Sequence, residues 1–210
     1  NNLLTNLDVS NNTFLSMFDC SSNQLTSLDV SNNATLTNLY CGSNQLTSLD
    51  LSNNINLTLL YCPQNQLTIL DVSNNVNLIS LACQNNLLST LDLRNGNNQN
   101  MAINSNWGND HVNLTNNPNL FCIDVDDASW ADTNWTFKDN WTSFSNNCQS
   151  EIFGCTDPIA TNYDPLATID NLSCDYGMTY VPDDNFEQAL INLGIDTDSI
   201  LNDSVATNQI

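Results

Sequence analysis

The stretch Leu46-Thr-Ser-Leu-Asp-Leu-Ser-Asn-Asn54 decides the fold, because near-copies of it recur along the chain at a constant spacing. The copies stand 21 residues apart and begin at Leu4, Leu25, Leu46, Leu67 and Leu88. A second series with the same period consists of Cys20, Cys41, Cys62 and Cys83, each followed three residues later by an asparagine. Self-similarity at a fixed period of about twenty residues predicts a solenoid, in which each unit buries its apolar face against its neighbours.

Each unit divides into two halves of the form L-x-x-L-x-φ-x-x-N, where φ is a compact apolar residue. The alternation Leu28-Asp29-Val30 has the period of a half-buried strand. Two short strands per coil, separated by asparagine-rich corners, predict two parallel sheets that face one another across a thin core. We expect the cysteine series on one side of that core and, opposite it, the inward-pointing side chains of Leu7, Leu28, Leu49, Leu70 and Leu91.

The charge balance limits the possible partners. Arg94 and Lys138 are the only strongly basic residues against 23 carboxylates, and the net charge is −21. Such a surface repels phosphate backbones, so nucleic-acid binding is not expected, and it attracts cations. No run approaches the roughly 18 apolar residues of a membrane span. The chain opens inside a repeat with no signal peptide, so we expect a segment of a longer protein or a processed product.

The eight cysteines form two sets. The four in the repeat are expected to be buried free thiols, because in-register neighbours point the same way and make poor disulfide geometry. The other four, Cys122, Cys148, Cys155 and Cys174, indicate two short disulfides and hence an oxidising, extracellular or cell-surface location. Residues 151–177 are rich in turns and too small for a core of their own, which favours a Cys155–Cys174 staple.

The repeat pattern resembles the bacterial leucine-rich repeats with 21-residue, internally doubled units that occur in secreted surface proteins. The resemblance covers about residues 1–98 and implies a solenoid used for binding or adhesion, without catalysis. Cys122…Trp135…Cys148 resembles the C-terminal cap of that family, which implies a Cys122–Cys148 disulfide. Gly154-Cys-Thr-Asp157…Ser173-Cys174 resembles small linker modules of secreted bacterial proteins, although Leu172 stands where the family commonly has glycine.

The sequence therefore predicts a mostly β protein in four parts. They are a leucine-rich-repeat solenoid (1–98), degenerate coils with a disulfide-closed cap (99–150), an Asp-rich linker module (151–177) and a segment that resembles the family's N-terminal cap (178–210). The last part holds the one short helix expected, over 184–193. There Asp184 and Glu187 form a capping-box pattern and apolar residues repeat at helical spacing.

Two features on the solenoid surface are candidate sites. Tyr40 and Tyr61 occupy an outward column with Asp19, and adjacent exposed aromatics form either a stacking platform for a sugar or peptide or a simple stabilising pair. The outward column Asp8, Asp29, Asp50, Asp71 and Asp92 places like charges about 5 Å apart. Repulsion there raises pKa values or recruits cations, unless neighbouring hydroxyls compensate.

Calcium is the one cofactor that the sequence suggests, because Ca²⁺ takes six to eight oxygen ligands. The candidate ligands form two clusters, Asp157, Asp164, Asp170 and Asp175, and Asp196, Asp198 and Asp203. The only histidine, His111, has no Ser or Cys paired with it in a recognisable motif. Catalytic triads and phosphate loops are absent from the sequence, so no enzyme activity is expected.

Two functional hypotheses follow. The first is a non-enzymatic structural or adhesive segment, one unit of a head-to-tail array or filament whose partners are copies of itself. Its basis is the pairing of a solenoid at one end of the chain with a cap-like helix at the other. The alternative is a discrete receptor that binds a glycan or a surface protein through the face bearing Tyr40 and Tyr61.

Overall fold

The computed structural model describes residues 2–101, 112–180, 183–193 and 204–206. The chain divides into two units, Asn1–Ser150 and Glu151–Ile210. The first unit is a stack of coils, and each coil passes one short extended segment along either side of a shared apolar core.

The first sheet of the solenoid is parallel and has five strands, numbered here in chain order along the whole protein. They are β1 (Met17–Asp19), β2 (Asn38–Tyr40), β3 (Leu59–Tyr61), β5 (Ser80–Ala82) and β7 (Val112–Asn113). Each strand is only three residues or fewer because the asparagine corners interrupt the alternation on both sides. The central residue of each full strand faces the core, so the flanking two face outward.

The second sheet contains four parallel strands: β4 (Ile69–Asp71), β6 (Thr90–Asp92), β8 (Cys122–Asp124) and β9 (Ser143–Ser145). Continuous strand pairing in this sheet begins only at the fourth coil. In the earlier coils the equivalent segments are linked at their start, where Gln24 N and Gln45 N donate to Leu4 O and Leu25 O. Their leucines nevertheless keep the inward phase, so the two-sided core extends through all five coils.

The core confirms the packing predicted from the repeat. Leu28, Leu49, Leu70 and Leu91 are buried, and so is the whole cysteine column opposite them. Leu7 is half-buried, because within the described residues no coil stacks on the outer side of the first one. The fold thus confirms two parallel sheets of short strands around a leucine and cysteine core.

The coil register continues past the point where the sequence pattern fails. In four coils an asparagine side chain accepts from a backbone amide 19 residues earlier, and at Asn117 the separation is 29. That coil therefore carries ten additional residues, after which Val112 pairs with Leu81 as the repeat requires. Met101 is buried in the core. Ile103 and Trp107, expected in a degenerate coil, lie outside the described residues.

An aromatic cap ends the solenoid core. Helix α1 (Ala128–Asn134) begins at Asp127, whose side chain accepts from Trp130 N at 3.1 Å. Trp135 packs edge-on against Trp130 and Phe144, with ring centroids 5.7 and 5.6 Å apart. The Cys122–Cys148 bridge is present in this region. The expectation of a single helix is corrected here, because α1 lacks an apolar repeat at helical spacing and is fixed by its cap and these rings.

The second unit is small and held by one disulfide. Strands β10 (Phe153–Gly154) and β11 (Ile169–Asp170) pair in parallel, and Cys155 is bridged to Cys174. Strands β12 (Met178–Tyr180) and β13 (Ser204–Ala206) pair antiparallel, and helix α2 spans Asp184–Asn192.

Two details of the second unit differ from the sequence pattern. The N-cap of α2 is Asp183 rather than Asp184, since the Asp183 side chain accepts from Asn185 N and Phe186 N at 2.9 Å. Leu172 adopts a φ of 60°, so the tight turn forms although a leucine replaces the usual glycine. Among the described residues, neither α-helix has the length and apolarity required to cross a membrane.

Candidate functional site

The first sheet arranges four outward residues in one row across neighbouring strands. Asp19, Tyr40, Tyr61 and Ala82 are in register from β1 to β5, and we call them the aromatic row. They point outward because the residue before each tyrosine, Leu39 or Leu60, is fully buried and successive side chains alternate between the two faces. The row therefore brings together the three residues that the sequence predicted as a ligand site.

The two tyrosine rings lie side by side on this face. Their centroids are 6.2 Å apart with an interplanar angle of 43°. Tyr61 is 41% exposed and Tyr40 is half-buried, so part of each ring remains accessible. Rings at this separation stabilise one another, and they offer a ligand a broad apolar surface with hydroxyl groups on it.

Gly42 provides the space in which Tyr61 sits. A Cβ atom at Gly42 would lie 2.9 Å from Cδ of Pro63 and 3.0 Å from Cε1 of Tyr61. Any larger residue would thus push the ring or the proline away from its present position. The sequence analysis missed Gly42 and Pro63. A signal was present, because the residues that follow the repeat cysteines are polar in two coils and are glycine and proline in the other two: Ser21, Gly42, Pro63 and Gln84.

Asp19 places a carboxylate at one end of the aromatic row. It is exposed, and one of its oxygens accepts from Ser21 N at 2.9 Å. The two strongly basic residues of the chain are engaged elsewhere. Arg94 lies 2.5 Å from Asp92 and 3.4 Å from Asp124, while Lys138 donates to the Thr142 carbonyl oxygen and lies 5.5 Å from the Phe144 ring centroid.

The aspartate column on the opposite face is held by hydrogen bonds from the residue two positions later. The backbone amides of Ser10, Ser31, Ser52 and Ser73 each donate to the preceding aspartate at 2.9 Å. In the fifth coil Arg94 replaces the serine and donates to Asp92 through both its backbone and its guanidinium. Each carboxylate thus has its own local donor.

These donors lower the pKa values of Asp8, Asp29, Asp50 and Asp92. The Ser10 and Ser31 hydroxyls, followed by the backbone amides of the same serines, lower the pKa values of Asp8 and Asp29 below 3.8. The Ser52 amide, followed by its hydroxyl, does the same for Asp50. For Asp92 the largest influence is burial, which raises the pKa, but the Arg94 contacts outweigh it and the net shift is downward. Local donors therefore prevail over repulsion in these four carboxyls. At Asp8, Asp29 and Asp50 they are serine hydroxyls and amides, and at Asp92 they belong to Arg94.

The carboxylates proposed for calcium in the second unit are each used in a local turn. Asp157, Asp164, Asp170 and Asp175 accept at 2.9 Å from the backbone amides of Ile159, Leu166, Leu172 and Gly177 respectively. Tyr176 also donates to Asp157 at 2.8 Å. In the part of the chain that the structure describes, no three acidic, His or Cys residues come close enough together to hold a metal ion. Asp196, Asp198, Asp203 and His111 lie outside that part, and calcium stays a prediction.

The cysteines divide as the sequence predicted. Cys122–Cys148 and Cys155–Cys174 are bridged, whereas the four repeat cysteines are buried free thiols. Burial raises the pKa of Cys20 to about 11 and that of Cys83 to about 12, and it raises those of Cys41 and Cys62 further. The reactive species is the thiolate, so these thiols are unreactive core residues in the folded protein.

The chain resembles a protein of known structure. No protein-family model matches the chain, and no curated protein matches it. Among solved structures it is similar to the functional domain of InlJ from Listeria monocytogenes, a domain that includes a cysteine ladder, at 29% sequence identity and a TM-score of 0.41. The similarity covers 58% of this chain and 33% of that one.

The structure itself defines the class of fold to which the protein belongs. Coils of 21 residues stack two parallel sheets on a leucine core, and a disulfide-closed cap follows the last coil. Asparagine side chains bridge successive coils at the corners. The fold is a leucine-rich-repeat solenoid, which confirms the predicted fold class.

Proposed function

We propose that this protein is a non-enzymatic extracellular module for binding or adhesion, and that the aromatic row contacts its ligand. The single observation that carries the proposal is the pair Tyr40 and Tyr61, which lie next to one another on an outward sheet face. Solenoids commonly use such extended faces for binding. The two disulfides fit an oxidising environment outside the cell.

The packing beneath the two rings supports a role in recognition. Both rings stand on paired strands whose core residues, Leu39 and Leu60, are fully buried. The Tyr61 ring and Pro63 both lie close over Gly42, which has no side chain to displace them. A ligand that covers the pair therefore meets a backbone already ordered by strand pairing and by the core, which reduces the entropic cost of binding.

Arrays of glycans and of surface proteins, probed with the native protein and with Tyr40→Ala/Tyr61→Ala, test the proposal. Ile55→Ala/Val76→Ala is the matched control, because those two exposed aliphatic residues occupy equivalent positions in neighbouring coils away from the row. We expect affinity to fall at least about tenfold in the tyrosine variant and to stay unchanged in the control. Equal binding by all three proteins would exclude this face.

A second candidate function is the head-to-tail array. It is favoured by apolar side chains on the first coil, where Leu3 is 78% and Phe14 is 90% exposed beside the edge strand β1. Helix α2 also exposes Phe186 (56%) and Leu193 (72%). We propose that an α2 segment covers the first coil of the next copy, either between chains or along one polypeptide. Such a heterologous contact between chains propagates into a filament when its rotation does not close into a ring.

A tandem fusion of two copies tests the array directly. If one copy covers the first coil of the other, the fusion melts at a higher temperature than the single copy. Phe186→Asp in both copies should abolish that difference, whereas Ile159→Asp, another exposed aliphatic residue of the second unit, should leave it in place. Identical melting of the fusion and the single copy, together with a monomeric mass at every concentration, would exclude the array.

A further inference from the structure

The aromatic row combines two aromatic faces with a carboxylate, and this combination specifies the ligand more closely than the proposed function, on which this inference rests. Asp19 is paired with Tyr40 on the neighbouring strand, and Tyr40 is paired with Tyr61 on the strand after that. Neighbouring strands lie about 4.8 Å apart, so a group stacked on Tyr40 is within reach of the carboxylate. A cation held within about 6 Å of a ring centroid is attracted by the ring.

The net charge of the protein indicates whether the group bound at the aromatic row is cationic or anionic. The net charge is −21, and both Arg94 and Lys138 are engaged with groups outside the row. Asp19 thus has no basic partner among the described residues. An anionic sugar or an acidic peptide would be repelled by this surface, whereas a cationic partner would be drawn to it.

The distance between the two tyrosine rings indicates that the ligand is an extended peptide. Their centroids are 6.2 Å apart. Alternate side chains of an extended peptide project from the same face about 6.6 Å apart. An extended segment that runs along the solenoid axis, across the strands, therefore places every second side chain over one ring.

Arginine fits both parts of the row. Its planar guanidinium stacks on an aromatic face while its edge donates to a carboxylate, which the compact ammonium of lysine does less well. We propose that the aromatic row binds an extended Arg-x-Arg segment of a partner protein. One arginine stacks on Tyr61, and the other stacks on Tyr40 and donates to Asp19.

Calorimetry with short capped peptides tests the inference on the full chain. The probe is Gly-Ser-Arg-Ser-Arg-Ser-Gly, and two matched peptides isolate its features. In one, citrulline replaces both arginines and removes the charge without changing the shape. In the other, the two arginines are adjacent, so the charge is the same but the side chains point to opposite faces. A neutral oligosaccharide is measured alongside.

We expect the Arg-x-Arg peptide to bind about tenfold more tightly than the citrulline peptide, from the usual strength of a cation on a ring. The adjacent-arginine peptide should lie between them. Asp19→Asn should weaken binding several-fold, and Gly42→Ala should weaken it by displacing the Tyr61 ring. Asp29→Asn, which removes the same charge from the opposite sheet, is the control and should leave the affinity unchanged.

Each outcome decides the inference. Equal affinity for the arginine and citrulline peptides would overturn it, and so would an equal loss in Asp19→Asn and Asp29→Asn, which would indicate general attraction to an acidic protein. Oligosaccharide binding that Tyr40→Ala/Tyr61→Ala abolishes, without peptide binding, would overturn the inference while leaving the proposed function standing. If neither the probes nor the arrays show binding that depends on the tyrosines, both fail.

Discussion

The side-chain oxygen of Asn65 accepts a hydrogen bond from the backbone amide of Leu46 at 3.0 Å, which ties one coil of the solenoid to the coil before it. The Asn65 side-chain amide donates at the same time to Cys41 O at 3.1 Å and to Cys62 O at 3.2 Å. One buried asparagine therefore satisfies backbone groups in two coils. This explains why the residue recurs at every such corner.

Replacing that asparagine should destabilise the solenoid strongly. Asn65→Ala leaves the buried Leu46 amide without its partner. It also removes one of two donors from Cys41 O and from Cys62 O, which keep Asn44 and Asn86 respectively. We expect the free energy of unfolding to fall by about 2–3 kcal/mol. Urea denaturation measures the change. The control is Asn53→Ala, since Asn53 is exposed and its side chain makes one long hydrogen bond of 3.4 Å to Ser31 O. A loss under about 0.5 kcal/mol at Asn65 would contradict this role.

The central leucines make a second prediction. Leu49→Ala removes a buried side chain from the middle coil and should cost about 2–5 kcal/mol, the sum of lost transfer energy and the cavity left behind. Ile55→Ala, an exposed aliphatic residue in the same coil, should change stability by less than about 0.5 kcal/mol. Equal effects of the two substitutions would contradict the two-sided core.

The period of the repeat made most of the fold predictable, because a fixed spacing of Leu, Cys and Asn determines both the stacking and the inward phase. Helix α1 was not predictable in the same way, since its seven residues depend on the Asp127 cap and on the contact of Trp135 with Phe144. The ten-residue insertion hid the resumed register, which the pairing of Val112 with Leu81 and the hydrogen bond from Leu88 N to Asn117 reveal.

The candidate site was predictable in part for the same reason. A column position shows which residues share a face, so Tyr40, Tyr61 and Asp19 could be grouped from the sequence. The role of Gly42 could not, because it depends on the approach of Tyr61 and Pro63 from the next coil. Distances between side chains in different coils are set by packing, and the repeat pattern alone does not contain them.

The cysteines should differ sharply in reactivity. In the native protein an alkylating reagent should leave Cys20 and Cys83 unmodified, because burial raises their pKa values to about 11 and about 12 and keeps them protonated. In denaturant without reductant four thiols should react, and mass spectrometry should find the other four cysteines in two bridges. A repeat cysteine recovered in a disulfide from native protein would contradict the structure.

Removal of the cap disulfide should weaken the solenoid. The Cys122–Cys148 bridge spans a sequence separation of 26 residues, and the chain-entropy model assigns a loop of this length about 3 kcal/mol. The double variant Cys122→Ser/Cys148→Ser should therefore melt well below the native protein. Cys155→Ser/Cys174→Ser, which opens the bridge in the other unit, is the control and should leave the solenoid transition in place.

Calcium binding is tested by melting the protein in excess Ca²⁺ and in EDTA. A ligand that binds only the folded state raises its melting temperature by mass action, so the prediction requires a higher value in Ca²⁺ than in Mg²⁺ or EDTA. Asp157→Asn/Asp164→Asn should remove the difference if the cluster in the second unit holds the ion. Equal melting temperatures under all three conditions would remove calcium from the account of this protein.

The aspartate column predicts a specific dependence of stability on pH. The Ser31 hydroxyl and backbone amide lower the pKa of Asp29 in the folded protein below its ordinary value of 3.8. A carboxyl with a lowered folded pKa stabilises the native state above its unfolded pKa, and this contribution is lost as the pH falls through the folded pKa. Ser31→Ala removes the hydroxyl but keeps the backbone donor, so the Asp29 pKa should rise towards 3.8 without reaching it.

Carboxyl ¹³C NMR titration measures that pKa, and denaturation as a function of pH measures its consequence. The pH-dependent part of the stability difference between native protein and Ser31→Ala should be present at neutral pH. It should vanish below the folded pKa, where Asp29 is protonated in both proteins. Ser48→Ala, on the same exposed face, is the control and should leave the Asp29 pKa in place. A stability difference for Ser31→Ala that is constant from pH 7 into acid would show that the hydroxyl does not act on this carboxylate.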